Sequence, residues 1–167
     1  GMGAVVVERL VGFQEFEASQ HAMFTARAGE YSLYPGLSLG DKSVRFNIET
    51  KVEDGKSGGE GMVALTTAVV AEIQASGMAD RTTVQSFDWS SLNLTKEIAP
   101  ELPLVALSSG DAWLEVGQPG ASANLGGIDI DTYGGSLAKA AAAQGYDAVS
   151  PAFRSVTSGM ITEAHEL

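Results

Sequence analysis

Glu49 and Lys51 stand two residues apart at the end of Arg45-Phe46-Asn47-Ile48-Glu49-Thr50-Lys51, a run that otherwise reads as a buried strand. Alternate residues of a strand share a face, which puts Phe46, Ile48 and Thr50 on one side and Asn47, Glu49 and Lys51 on the other. The first side must meet helices. If apolar helices covered both faces of a parallel strand, Glu49 and Lys51 would be buried at high cost unless paired. A closed barrel removes the difficulty, because the second face points inward and the C-terminal strand ends open onto the mouth. There a carboxylate can hold a divalent cation and an ammonium can meet a phosphate oxygen. A local ion pair at a strand end is the simpler reading, and spacing alone favours it.

The elements that must position this pair alternate along the chain. A strand is predicted from Val44 to Thr50, then a loop over 53–60 containing Gly55, Gly58 and Gly59. Met62, Leu65, Val69 and Ile73 recur at helical spacing until Gly77. Thr82 to Phe87 reads as the next strand, with Asp88 as N-cap of a helix that passes through Leu92 and Ile98 and ends before Pro100. Pro103 to Ser108 is a third strand, followed by a long irregular connection through Gln118-Pro119-Gly120. Ile128 to Ile130 reads as a short strand or loop edge. Ser136 caps an alanine-rich helix over 137–144 that Gly145 ends, Ala148 to Ser150 is a further strand, and a last helix starts near Thr157. This alternation predicts an α/β fold of parallel (β/α) units.

Composition bounds the possible functions. The chain has 167 residues and 44% apolar content, enough for one domain with a sizeable core. A formal net charge of −11 opposes binding to nucleic acid or to anionic lipid surfaces, and leaves a small substrate bridged by a cation as an option. With no cysteine, disulfides and thiolate metal sites are excluded. Ala4-Val5-Val6-Val7 is too short for a span and lacks the basic flank of a signal peptide, so a soluble chain is expected, cytoplasmic or exported. Gly1 ahead of Met2 reads as a residue left by tag cleavage.

From about Asp41 onward the chain resembles the glycerophosphodiester phosphodiesterases, particularly actinobacterial-type sequences. The carrying segments are FNIETKVE at 46–53, TTVQSFDWSSL at 82–92, PELPLVALSS at 100–109, VGQPGASANLGGIDID at 116–131, and DAVSP with ITEAHEL within 147–167. The resemblance implies a TIM-type (β/α)₈ barrel that cleaves glycerophosphodiesters to an alcohol and glycerol 3-phosphate, with a divalent metal, calcium or magnesium, and two histidines as acid and base. It makes Glu49 a metal ligand and Lys51 the catalytic residue that steadies the substrate phosphate. Residues 1–40 are unmatched, and 41–167 correspond to the central part of the barrel. The family's His-Arg-Gly, Pro-Glu-Asn-Thr, Glu-Leu-Asp and His-Asp segments do not occur, nor do its Trp-Thr-Val and Ile-Thr-Asp strands.

A partial barrel of this kind exposes an apolar sheet edge and is expected to form a homo-oligomer. The competing reading is a binding or assembly module that keeps the metal and phosphate corner without acid–base chemistry. His21 and His165 read as solvent-facing or satisfied histidines. Ser86, Ser108 and Ser150, all near strand ends, are candidate substrate contacts. Asp129 and Asp131 read as turn formers rather than metal ligands. Phe87, Trp89 and Trp113 either wall off a headgroup alcohol or pack in the core.

Overall fold

The structure is a computed structural model and describes residues 4–10, 22–25, 45–52 and 57–167. Its sheet contains β1 (Ala4–Leu10), β2 (Ala22–Thr25), β3 (Arg45–Lys51), β4 (Thr82–Ser86), β5 (Leu104–Ser108) and β6 (Ala148–Pro151), in the order β2-β1-β3-β4-β5-β6. β3 to β6 are parallel and lie side by side in chain order. β1 runs antiparallel to both β2 and β3, with Val6 in register with Glu49. The expected parallel (β/α) units therefore hold from β3 onward, and the sheet as a whole is mixed. His21 lies outside the described residues.

Among the described residues five α-helices connect and flank these strands: α1 (Glu60–Ala75), α2 (Trp89–Ile98), α3 (Asp111–Leu114), α4 (Leu137–Gln144) and α5 (Ser158–Glu166). α1 buries Met62, Leu65, Val69 and Ile73 along one stripe and stops at Ser76, after which Gly77 takes φ +67°. The N-caps of the later helices follow the sequence. Asp88 accepts from the Ser90 amide at 2.8 Å, Ser136 from Lys139 at 3.1 Å and Thr157 from Met160 at 3.1 Å. Of the two readings of Ile128 to Ile130, strand or loop edge, the loop holds: the segment runs into a 3₁₀ turn, Ile130–Tyr133. The Asp129 carboxylate accepts from the amides of Gly120 and Asp131, and Asp131 from that of Gly117, which folds the segment back on itself instead of extending it. Both aspartates thus act as the turn formers their setting suggested.

Parallel strands in unreversed order, joined by right-handed crossovers, keep their helices on one face of the sheet, which is the winding of a TIM-type barrel. The core has that one-sided form. Phe46, Val84, Leu104 and Ala106 pack with Leu65, Val69, Leu92 and Leu137 in a single cluster. Trp89 anchors it at 0% exposure, with its indole N–H donating to the Leu107 carbonyl at 3.2 Å and its ring edge-on to Tyr146 at 5.4 Å. The described arc is thus α/β and corresponds to part of such a barrel. Among the described residues no helix is long and apolar enough to cross a membrane.

Candidate functional site

The alternation of β3 places its two sets of side chains on opposite sides of the sheet. Phe46 joins the helix-side core, and Thr50 Oγ1 lies 2.8 Å from Ser91 Oγ of α2, which in turn lies 2.8 Å from Thr66 Oγ1 of α1. This chain of buried hydroxyls ties the end of β3 to both helices, each group answering another in place of water. On the opposite face Asn47 donates to Gln85 Oε1 at 2.6 Å, and Glu49 is in register with Gln85. Beyond them Lys51 Nζ meets Glu49 Oε1 at 2.8 Å. The Glu49 side chain is 10% exposed and that of Lys51 47%, so the carboxylate is sunk and the ammonium reaches toward solvent. The half-exposed pair contributes about 1 kcal/mol or less, whereas removing the lysine would strand a buried carboxylate.

Glu49 and Lys51 open onto a cleft of about 370 Å³, whose lining also includes Phe87, Asp88, Trp113 and Asn124. Glu49 and Lys51 close β3, Phe87 and Asp88 directly follow β4, and Trp113 and Asn124 lie on the connection after β5, the side on which barrel enzymes carry their sites. Asp88 is both cap and wall. Its Oδ1 accepts from Ser57 Oγ at 2.8 Å and from the Ser90 amide at 2.8 Å, while its Oδ2 is buried without a hydrogen-bond partner among the described residues. Burial and, secondarily, the Asp88 carboxylate push the Tyr146 phenol well above its ordinary value, which keeps it a neutral donor to Asn93 Oδ1 at 2.7 Å. The long loop after β5 is pinned at Leu125, fully buried, and at Asn124, whose carbonyl accepts from the Trp89 amide at 2.9 Å. Gly126 makes that approach possible: it has φ +62°, and a Cβ there would stand 3.2 Å from backbone atoms of Trp89 and Ser90.

Phe87 and Trp113 meet edge to face at the cleft, with centroids 5.8 Å apart and planes at 77°, whereas Trp89 is a core residue. Of the three serines proposed as contacts, Ser86 is buried, donating to the Thr50 carbonyl at 2.9 Å and accepting from the Asp88 amide at 3.1 Å. Ser108 is 1% exposed with its hydroxyl unpartnered among the described residues, and Ser150 is exposed on β6; neither lines the cleft, which Ser109 does. His165 is exposed on α5. Asp88, Ser57 and Asn124 escaped the sequence reading as cleft residues. Asp88 carried a signal, an acid directly after a strand, but its capping role accounted for it.

Among the described residues no three His, Asp or Glu side chains converge on a site that could hold a metal ion. Glu49 has one oxygen committed to Lys51, and Asp88 has one committed to Ser57 and Ser90. Two such carboxylates do not supply the six to eight oxygens of a calcium site, whereas magnesium is commonly held by one or two carboxylates, with waters and substrate phosphate completing its shell. A calcium ion at Glu49 would need ligands beyond these two carboxylates.

Compared with known proteins, the chain matches no family model and no curated protein. Among solved structures it is similar to a chain from Silicibacter pomeroyi DSS-3 assigned as a glycerophosphoryl diester phosphodiesterase, with 28% identity and a TM-score of 0.49, over 63% of this chain and 31% of that one. It is also similar to one from Galdieria sulphuraria assigned as a glycerophosphodiester phosphodiesterase, with 21% identity and a TM-score of 0.47, over 72% and 39%. The chain thus spans well under half the length of either neighbour, and both carry the name of the family whose motifs the sequence resembles.

Proposed function

We infer that this chain serves the cleavage of glycerophosphodiesters to an alcohol and glycerol 3-phosphate, and that its cleft is the corner that receives the substrate phosphate. One observation carries the reading: the sunken Glu49 carboxylate holds the Lys51 ammonium at 2.8 Å at the C-terminal end of a parallel strand, beside a cleft. Glu49 orients the ammonium, Lys51 offsets the charge that grows on the phosphate oxygens as the ester breaks, and the aromatic wall excludes water from one side. A divalent cation, when bound, would polarise the phosphate. Glu49 would be one of its carboxylate ligands, with the rest of the shell supplied from elsewhere. The test is release of glycerol 3-phosphate from glycerophosphocholine with calcium or magnesium added. Activity that needs the metal and is abolished in Glu49→Gln supports the reading, and activity unchanged in Glu49→Gln removes Glu49 from the site.

A second reading rests on a different observation. The only histidine among the described residues, His165, is exposed on α5 and does not line the cleft. Acid–base work in hydrolysis needs a group within hydrogen-bond reach of the reacting oxygen. A module that binds the phosphodiester without cleaving it fits that arrangement. Saturable binding of glycerol 3-phosphate, lost in Lys51→Met, together with no turnover under any metal, would select it.

A further inference from the structure

We propose that the corner made by Phe87 and Trp113 takes an alcohol headgroup bearing a substituted ammonium, so that the cleft favours zwitterionic phosphodiesters over those of neutral polyols. The proposal deepens the phosphate reading of Lys51 and rests on it. Phe87 follows β4 directly and is 39% exposed, an aromatic ring kept at the surface although the core lies next to it. Trp113, half-buried, meets it at 77°, and two ring planes at that angle form two sides of a corner within the same cleft. Aromatic faces attract cations through their quadrupole and offer a neutral polyol no hydrogen bonds.

The charges of the lining agree. Among the described residues it contains two carboxylates, Glu49 and Asp88, against one cation, Lys51, and that cation is held by Glu49. Asp88 adjoins Phe87 in the chain, is 7% exposed, and has an oxygen with no partner among the described residues. An incoming phosphate adds negative charge to this lining. A ligand that brings its own cation restores the balance, with the phosphate at Lys51 and the ammonium at the rings.

Isothermal titration of the chain with glycerophosphocholine, glycerophosphoglycerol and glycerol 3-phosphate, in the presence of a chelator so that the esters stay intact, tests this. The choline ester is expected to bind roughly 3- to 30-fold tighter than the glycerol ester. Phe87→Leu is expected to bring that ratio close to one, with an unchanged circular dichroism spectrum as the control for folding. Equal affinities for the two esters in the unmodified chain, with glycerol 3-phosphate still bound, overturn the headgroup proposal and leave the phosphate reading standing. If none of the three binds, either with the chelator or with calcium or magnesium in its place, the phosphate reading has failed and the headgroup proposal falls with it.

Discussion

Helices α2 and α5 each follow a strand of the same parallel run, and each begins on a side-chain cap, yet they end in opposite environments. α2 buries Trp89, Ser91, Leu92 and Thr95, and its first turn is sealed by the Asn124 carbonyl and the hydroxyl chain from Thr50. α5 buries nothing, and around it Phe153 is 91% exposed, Ile161 47% and Val156 41%. The two segments have similar apolar content. What separates them is how many neighbouring units lie against each. α2 sits between α1 and the β4–β5 pair, whereas α5 is tied to α4 through Lys139, Ser136 and Glu163. In a singly wound arc a helix is covered from both sides only when further units flank it. The β6 flank therefore carries exposed apolar side chains of the kind that the α2 region buries.

The contrast is broken most directly at its strongest point. Trp89→Ala is expected to destabilise the fold by about 3–5 kcal/mol, read from urea denaturation, because it empties a fully buried site that nothing else fills. A loss under 1 kcal/mol would mean that α2 is no better anchored than α5. Ser91→Ala comes next, at about 1–3 kcal/mol, since it leaves both the Thr50 and the Thr66 hydroxyl short of a buried partner. Thr50→Val added to Ser91→Ala should recover part of that loss, and full additivity of the two would show that the hydroxyls act separately.

At the α5 end the effects are smaller and depend on conditions. The Ser136 hydroxyl first, and then Lys139, hold the Glu163 carboxyl below its usual value. A depressed folded value means that the contact helps folding above the unfolded carboxyl's pKa and that its help disappears as pH falls through the folded one. The protection of α5 amides against exchange, relative to the unstructured rate at the same pH, should therefore fall on acidification below the ordinary carboxylate range, while that of α2 holds. Glu163→Gln should abolish that difference. Phe153→Ser is expected to change stability by no more than ~0.5 kcal/mol, because the ring is already in water. It should nevertheless lower any concentration-dependent self-association seen by sedimentation, in keeping with a homo-oligomer formed through this flank. Unaltered association would move the interface elsewhere.

Much of the arc was legible residue by residue. The period of Met62, Leu65, Val69 and Ile73 marked α1, and Asp88, Ser136 and Thr157 announced their helices, because caps and stripes act within one turn of the chain. Ile128 to Ile130 is open between strand and loop edge in the sequence because its shape depends on carboxylates reaching back to amides 9 and 14 residues away. The same limit governs the site. Period two alone placed Glu49 and Lys51 together on the face away from the helices, and the resemblance of the surrounding segments attached a phosphodiester to them. Only the tertiary structure put Asp88, Ser57, Phe87, Trp113 and Asn124 around that pair, and only it sent Trp89 into the core while its neighbour Phe87 stayed at the surface. Local chemistry fixes which residues can cap, pair or alternate. Which strand ends and loops converge on one cleft is decided by contacts between residues tens of positions apart, and these exist only once the sheet has formed.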